Sequence, residues 1–343
     1  MSINCYFYKF MEDKVGKDRN ACSVIFGIEY QIDAAICLFL RDIHKIEKIK
    51  VEGKFEDIEE FLNNDSIIYC QVKSVYDPKN TNVSSSKLKK AIESLSECPI
   101  DINDGLLYCS NQVDPLIKKS PLYSGNDILI YKFNDLDTPS QDLIKKYFNK
   151  IPSKNYESLS VIKIPYNVSS DIDTKRHFII EEAKKFLLKA NTDTAFSSEL
   201  VTTWHDYFNN SATGKGIKFY ITKKEFTWIV IAKLMNQRIF NINVDDESLI
   251  EEVESKYESL IRNKINSFEI TAKIIGLYKE QLKLGLWSNI QSYIKYNIDT
   301  LSLLIYGHIS IDEIEEFALI AIVNSILKLR TKIDRIKKVA NIC

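Results

Sequence analysis

The sequence predicts an α/β domain with a mixed central sheet over residues 1–168, followed by a mainly α-helical domain over residues 169–343. In the first part, short apolar runs bounded by polar turns alternate with segments of helical spacing, a pattern typical of layers packed on one sheet. All seven prolines lie at or before Pro165, so the second part contains none. A chain of 343 residues is long enough for two cores, and we expect the boundary between residues 165 and 210.

A helix and two strands open the first domain. From Gly27 onward the segment reads as a helix, because apolar residues recur at helical spacing at Ile28, Ile32, Ala35, Ile36 and Phe39. An apolar alternation up to Val51 predicts a strand, and Gly53 marks the turn that leads to Asp57. The run Ile67–Lys73, with polar residues on both sides, predicts a second strand.

The end of that second strand brings an amide and an ammonium group together. Side chains alternate between the two faces of a strand, so Tyr69, Gln71 and Lys73 share one face. The residues between them are apolar, and we expect their face to be buried and the other face to be exposed. On that exposed face Tyr69 is expected to line a site rather than to react.

Further elements complete the predicted α/β domain. A polar loop over residues 76–86 leads to a helix with Lys87, Lys89 and Lys90, which either grip phosphate or form a solvated face. The elements predicted next are strands over residues 106–110, 127–131 and 159–165 and a helix over residues 141–148. Their alternation implies a sandwich around one mixed sheet.

The second domain shows helix signals along most of its length. One amphipathic face consists of Ile179, Ala183, Phe186, Leu187 and Ala190. Capping-box spacing, a Ser or Thr followed three residues later by Glu, occurs at Thr222–Glu225 and at Ser310–Glu313. Another helix is expected to begin at Asp245. Such apolar stripes must be buried in a bundle or against another chain.

Four short motifs follow one another in the first half: Gly27-Ile28-Glu29-Tyr30-Gln31, Glu56-Asp57-Ile58, Gln71-Val72-Lys73-Ser74, and a strand that ends at Ser110-Asn111. An acid on a hairpin, followed by an acid or amide two residues before a lysine, resembles the PD-(D/E)xK nucleases. The whole set resembles the double-stranded DNA endonuclease domain of bacterial anti-phage effectors, found in cyclic-nucleotide-signalled (CBASS) systems and in SMC-linked Lamassu systems. The resemblance covers roughly the first half of the chain and implies a restriction-endonuclease-like fold.

The resemblance implies a hydrolase that uses Mg²⁺ or Mn²⁺. Such hard ions prefer oxygen ligands, and they polarise phosphate and activate water. Asp57 would supply a carboxylate, Gln71 an amide carbonyl and Val72 its backbone carbonyl. Lys73 would stand beside the attacking water, and Gln31 or Glu29 would take the helix role at the same site. Without the resemblance, the same residues describe a half-buried strand with an exposed amide and lysine.

Two departures from the family pattern weaken the expected metal site. Asp57 is preceded by Glu56 rather than by proline, and Gln71 stands where an acid is usual. The site therefore carries one negative charge fewer, and we expect it to bind a divalent ion more weakly.

The helical second half is similar to the Lamassu type. That similarity implies docking on an SMC-like ATPase subunit with a small accessory subunit, which hold the nuclease inactive until foreign DNA is sensed. One site cuts one strand, so a homo-oligomer is expected when the protein is active. Two alternatives remain: an inactive nuclease-fold adaptor in which Gln71 is the relic of an acid, and a subunit that presents DNA to a partner ATPase.

Composition limits the remaining possibilities. The formal net charge is −1, so the isolated chain is expected to bind free DNA weakly. The sequence contains no P-loop, G-x-S-x-G or H-E-x-x-H motif. Its seven cysteines show no C-x-x-C pair and no zinc spacing; we expect several of them to be small core residues, and a reducing cytoplasm fits them. We also expect no signal peptide and no membrane contact, since no uninterrupted apolar run reaches spanning length.

Overall fold

The computed structural model describes residues 22–76, 85–112, 116, 128–148, 156–166, 169, 171–212, 220–239, 251, 255 and 267–342. Several predicted features lie outside the described residues. They are the first 21 residues, most of the loop predicted over residues 76–86, residue 127 of a predicted strand, and all of the helix expected from Asp245 except residues 251 and 255.

The sheet-forming part contains three helices and six strands within the described residues. They are α1 (Cys22–Asp42), β1 (Ile46–Val51), β2 (Ile58–Leu62), β3 (Ile67–Lys73), α2 (Ser85–Glu97), β4 (Gly105–Ser110), β5 (Leu129–Lys132), α3 (Thr138–Phe148) and β6 (Leu159–Lys163). Short 3-10 turns precede α3 and β6, at Phe133–Asp135 and Tyr156–Ser158. The elements predicted in this region are therefore confirmed, with ends that differ by a few residues.

The rest of the described chain is almost entirely helical, as predicted. Its elements are α4 (Ile172–Lys175), α5 (His177–Lys189), α6 (Ser197–Ala212), the two-residue strand β7 (Ile221–Thr222), α7 (Lys223–Ile239), α8 (Ser267–Lys283), α9 (Ile290–Tyr296), α10 (Ile298–Ile305) and α11 (Glu313–Val339). The predicted apolar face of α5 is buried at every position.

The strands form one mixed seven-stranded sheet in the order β5-β6-β4-β3-β2-β1-β7. Strand β3 runs antiparallel to β2 and parallel to β4, and β4 runs parallel to β6. The connection from β3 through α2 to the parallel strand β4 is the crossover that a parallel pair requires. The α/β class with a mixed sheet and a helical second half is confirmed.

Contacts divide the described chain into two compact units. One unit holds the residues up to Arg41, those from Lys48 to Glu181, and those of the segment from Phe208 to Tyr220. The other holds Asp42–Glu47, Glu182–Tyr207 and the residues from Ile221 onward. The predicted domain boundary at residue 168 stays a prediction.

Helices cover both faces of the central strands in the first unit. On one face, Tyr69, Tyr108 and Val161 share a buried cluster with residues of α2 and α3, among them Leu88, Ala91, Ile92, Ile144 and Phe148. On the other face, the Tyr30 hydroxyl of α1 lies 3.5 Å from the Cys109 sulfur and donates to the Ile164 carbonyl at 3.2 Å. Central strands of this kind are buried on both sides.

This layering corrects the expectation that the Tyr69, Gln71 and Lys73 face is exposed. Tyr69 is 3% exposed and Gln71 is 6% exposed, because α2 packs over that face. Only Lys73, at the end of the strand, keeps substantial access to solvent, with 30% of its side chain exposed. Tyr69 is a core residue rather than the lining of a site.

Helix α1 begins earlier than predicted and is more deeply buried. It starts at Cys22, and Ile28, which was assigned to its apolar face, is 49% exposed. In contrast, every residue from Tyr30 to Leu40 is buried. Among the described residues, α1 is also the one helix long and apolar enough to cross a membrane, but 67% of that stretch is buried inside the protein.

The second unit is organised around α11, which packs against α7, α8, α9 and α10. The Trp204 and Phe226 rings stack with centroids 4.2 Å apart, and the indole nitrogen of Trp204 donates to the Phe226 carbonyl at 3.0 Å. Both groups are fully buried, so the pair is part of the core.

One of the two predicted capping boxes is confirmed. The Glu225 carboxylate accepts from the Thr222 backbone N–H at 2.9 Å, and the Thr222 hydroxyl accepts from the Glu225 N–H at 3.2 Å. The box predicted at Ser310–Glu313 is wrong, because α11 begins two residues later with Asp312 as its cap and Glu315 as its partner. Ser310–Glu313 and Asp312–Glu315 both have the capping-box spacing. The charged Asp312 carboxylate is a stronger acceptor for the N–H groups of the helix N-terminus than the Ser310 hydroxyl.

Candidate active site around Asp57

Asp57 lies in a tight turn directly before β2, and the backbone of that turn is closed by two hydrogen bonds. The Glu52 N–H donates to the Asp57 carbonyl at 2.8 Å, and the Gly53 N–H donates to the Glu56 carbonyl at 2.9 Å. A β-carbon at Gly53 would lie 2.7 Å from the Glu56 carbonyl oxygen and 2.5 Å from the Glu59 side chain. The turn that presents Asp57 therefore requires glycine at this position.

Helix α1 holds the same residue from the other side. The Gln31 side-chain amide donates to the Asp57 carbonyl at 2.9 Å, so this carbonyl oxygen accepts two hydrogen bonds. Gln31 is itself buried. The backbone position of Asp57 is thus fixed by its own hairpin and by a helix more than twenty residues earlier in the chain.

The Asp57 carboxylate is the point where the predicted site residues meet. Its Oδ2 atom accepts from the Gln71 side-chain amide at short distance, from the Val72 N–H at 2.9 Å, and from the Lys73 ammonium at 3.4 Å. Strand pairing explains the meeting, because Ile58 lies opposite Cys70 and thereby places the preceding residue, Asp57, beside Gln71.

The Lys73 ammonium makes a second contact in this site. It donates to the Val72 backbone carbonyl at 3.0 Å while it pairs with Asp57. The Asp57 side chain is 27% exposed and that of Lys73 is 30% exposed, so both remain reachable from solvent. A substrate can therefore reach this ion pair from solvent. Because the pair is partly buried, water weakens its attraction less than that of a fully exposed pair.

The site lies where three parallel strands end. Lys73 of β3 pairs in register with Ser110 of β4, and Ser110 pairs with Lys163 of β6. In open α/β sheets, ligands bind beyond the carboxyl ends of such strands.

Asn111 holds the loops at this edge of the sheet together, a role that sequence reasoning missed. Its side-chain oxygen Oδ1 accepts from the Val75 backbone N–H at 2.9 Å. Its side-chain nitrogen Nδ2 donates to the backbone carbonyls of Val75 at 3.1 Å and of Tyr166 at 3.5 Å. The side chain is buried, and it fixes the segment that directly follows Lys73. Its position after a strand was visible in the sequence, but its partners are not local.

Glu56 is a second carboxyl group beside the site, and the sequence flagged it only as a departure from the family pattern. Its Oε1 accepts from the Ser94 hydroxyl at 2.8 Å and from the Cys98 thiol at 3.5 Å, both on α2. The pKa of Glu56 is raised to about 7, chiefly by burial. The hydrogen bonds from Ser94 and Cys98 and the charge of Lys73 oppose this rise, whereas the negative charge of Asp57 adds to it. The carboxyl is thus poised to change its charge near neutral pH.

Gln31 and Glu29, the two residues of α1 predicted to reach the site, have different partners in the structure. Gln31 contacts Asp57, whereas the Glu29 carboxylate forms an ion pair with Lys175. One turn further along α1, the fully buried Asp33 accepts from Arg176 at 2.8 Å and from the Tyr166 hydroxyl at 2.7 Å. Glu29 and Asp33 therefore bind the segment around α4, whereas Gln31 contacts the candidate site.

The three lysines proposed for DNA lie on the outer face of α2. Lys87, Lys89 and Lys90 are exposed, while Leu88 between them is buried. Lys89 is 3.8 Å from Glu93 on the same helix. The arrangement suits both a phosphate contact and a solvated helix face, so this prediction stays open.

The donor atoms around Asp57 are of the kind that a hard divalent ion takes. The Asp57 carboxylate, the Gln71 amide and the Val72 carbonyl each offer an oxygen, although Lys73 already contacts the first and the last. Within the described ranges, no group of three or more His, Cys, Asp or Glu is arranged to hold a metal ion.

Four cysteines outside any disulfide, Cys37, Cys70, Cys98 and Cys109, are buried in the part of the chain that the structure describes, as expected for small core residues.

Comparison with family models, with curated proteins and with solved structures finds no significant match to this chain.

Proposed function

We propose that this protein is a metal-dependent double-stranded DNA endonuclease and the effector subunit of an anti-phage defence complex, held inactive until a partner senses foreign DNA. One observation supports the proposal above all. The Gln71 amide and the Lys73 ammonium meet on one oxygen of Asp57, at the exposed end of parallel strands. A strand with an incidental Gln-x-Lys sequence does not need a carboxylate from the neighbouring hairpin at this point.

The order of elements supports a PD-(D/E)xK-like core. Helix α1 is followed by the β1–β2 hairpin with Asp57, then by β3 with Gln71 and Lys73, and then by the crossover through α2 to β4. The resemblance in the sequence implies this order. The assignment to that nuclease fold, and to the type found in Lamassu complexes, is part of our proposal.

The proposed chemistry divides among the residues of the site. Lys73, partly exposed beside Asp57, is placed to stabilise the negative charge that develops on a phosphodiester. Gln71 and the Val72 N–H orient the Asp57 carboxylate, and Gln31 fixes its backbone. Asp57, Gln71 and the Val72 carbonyl would hold Mg²⁺ or Mn²⁺. When bound, such an ion polarises phosphate and activates water.

The net charge of −1 supports a role within an assembly. An isolated chain with so little charge gains little from counterion release, so a partner must bring DNA to the site. We propose an SMC-like ATPase and a small accessory subunit as partners in the cytoplasm. We also propose a homo-oligomer that places two sites on opposite strands, with Lys87, Lys89 and Lys90 as phosphate contacts.

Plasmid cleavage by the purified full-length chain tests this function, without the partners proposed to hold it inactive and at low salt, where weak binding to DNA is strengthened. Supercoiled plasmid is incubated with Mn²⁺ or Mg²⁺ and with wild type, Lys73→Ala, Asp57→Asn or Lys45→Ala, the last being an exposed lysine outside the site. We expect wild type and Lys45→Ala to cut and the two site variants to lose at least about 100-fold in rate. Equal cutting by wild type and Lys73→Ala would remove the catalytic assignment.

A second candidate is an adaptor that keeps the nuclease fold without activity. It is favoured by the amide at position 71 and by the three donors that already satisfy Asp57 Oδ2. Calorimetry with Mn²⁺ separates the two. Heat of binding that disappears in Asp57→Asn supports the nuclease, and the absence of saturable binding together with the absence of cleavage supports the adaptor.

A further inference from the structure

The Lys73 ammonium lies against two of the three oxygens proposed for the metal ion. It is 3.4 Å from Asp57 Oδ2 and 3.0 Å from the Val72 carbonyl oxygen. A positive charge of the chain itself therefore stands at the place where a divalent cation would bind. Lys73 is also proposed to stabilise charge on the phosphodiester. In the structure it instead contacts Asp57 and Val72.

We propose that Lys73 is an internal competitor of the divalent ion, so that lysine docking on Asp57 and metal binding at Asp57 exclude each other. This inference rests on the proposed function of the same site. It assigns Lys73 two positions: against Asp57 and Val72 when the metal is absent, and turned away from them when it is bound.

The charge balance of the site is the reason for exclusion. Asp57 is the single carboxylate among the three proposed ligands, because position 71 carries a neutral amide. One carboxylate can neutralise one ammonium, but an ammonium and a divalent ion placed against it together repel each other strongly. With an acid at position 71, the site would have the negative charge to hold both.

The lysine has room to leave. Its side chain is 30% exposed and lies at the end of β3, and the four-carbon chain of a lysine is flexible. Leaving costs the ammonium its contacts with Asp57 and Val72. A phosphate group arriving at the strand ends offers it a replacement partner. DNA and metal should therefore favour each other's binding, because the phosphate stabilises the lysine in the position that admits the ion.

Titration of Mn²⁺ into the metal-free full-length protein tests the exclusion by binding rather than by activity. Lys73→Met keeps a long unbranched side chain, one heavy atom shorter, and removes its charge, and Lys73→Gln is a second uncharged variant. Lys45→Met is the control for loss of one exposed lysine. We expect both Lys73 variants to bind Mn²⁺ at least about tenfold more tightly than wild type, although neither cuts DNA. Lys45→Met should bind as wild type does.

A double-mutant cycle with Gln71→Glu examines the reason given for exclusion. Gln71→Glu alone should tighten Mn²⁺ binding, and Lys73→Met added to it should tighten binding by clearly less than tenfold, because the second carboxylate already accommodates both charges. An equal gain from Lys73→Met in both backgrounds would overturn the charge-balance argument.

The outcomes separate this inference from the proposed function. If Mn²⁺ binds wild type and is lost in Asp57→Asn, but both Lys73 variants bind equally or more weakly, the exclusion is wrong and the metal site stands. If neither wild type nor any Lys73 variant shows binding that depends on Asp57, the metal site itself is refuted, and both proposals fall together.

Discussion

The buried amide of Gln31 donates a 2.9 Å hydrogen bond to the backbone carbonyl of Asp57 and so joins helix α1 to the hairpin that carries the candidate catalytic carboxylate. The contact is to the backbone, so it fixes where the residue stands while the carboxylate remains directed to β3. Positioning of this kind affects rate through geometry, and small displacements of a reacting group are costly.

We expect Gln31→Leu to lower plasmid cleavage by about 10- to 100-fold, because Asp57 loses one of its two backbone anchors. The Glu52 N–H still bonds the Asp57 carbonyl, so the free energy of unfolding should fall by only about 1 kcal/mol. Cleavage rates and urea denaturation measure the two effects.

Glu29→Gln is the matched comparison, since Glu29 lies on the same helix and pairs with Lys175 instead. It should retain cleavage to within a few-fold. A larger loss in Glu29→Gln than in Gln31→Leu would reverse the assignment of the helix residue.

Gly53→Ala tests the turn that presents Asp57. The added methyl group would stand 2.7 Å from the Glu56 carbonyl oxygen, so the backbone of the turn must shift. We expect a loss of about 1–3 kcal/mol in the free energy of unfolding and a clear decrease in cleavage. Gly276→Ala on α8 is the control: its β-carbon would meet nothing within 4 Å, and it should leave stability unchanged or raise it by about 0.5–1 kcal/mol. Similar effects from both substitutions would contradict the role given to Gly53.

The local parts of the fold could be predicted from the sequence. The apolar run and its polar borders predict the bounds of strand β3 correctly. The contact of Gln71 and Lys73 with Asp57 was expected from the resemblance to nucleases that carry an acid on the preceding hairpin. Exposure could not be predicted in the same way. Alternation gives the two faces of a strand, but the crossover helix α2 decides that the polar face at Gln71 is covered.

Non-local contacts account for what the sequence left out. The environment of Glu56 is made by Ser94 and Cys98, which lie about forty residues further along the chain. Asn111 bonds Val75, 36 residues earlier in the chain, and Tyr166, 55 residues later. Periodicity describes one element at a time, so partners that only tertiary packing supplies remain outside its reach.

Arg176→Met should destabilise the protein strongly, by about 3–5 kcal/mol, because it leaves the fully buried Asp33 carboxylate without its cation. Lys175→Met, next to it in sequence, removes a more exposed ion pair with Glu29 and should cost less than about 1 kcal/mol. Denaturant midpoints of the two variants measured side by side test the difference. Equal losses would mean that Asp33 is satisfied without Arg176, with the Tyr166 hydroxyl among its remaining partners.

The dependence of stability on pH tests the environment of Glu56. Burial raises its pKa from 4.5 to about 7 in the folded protein. Below pH 4.5 the carboxyl is protonated in both states, so its contribution to stability is fully present. As the pH rises toward 7 the unfolded chain ionises first, and the contribution is lost.

Glu56→Gln keeps the group neutral at every pH, and so it should lack this loss. Relative to the variant, we expect wild type to lose roughly 3 kcal/mol of its free energy of unfolding between about pH 4 and pH 8. The difference between the two proteins cancels the titration of the other acids, and Glu97→Gln on the exposed end of α2 is the control for charge. A difference that does not change across this range would show that the Glu56 carboxyl has the same pKa in the folded and the unfolded chain, so that the hydrogen bonds from Ser94 and Cys98 offset its burial.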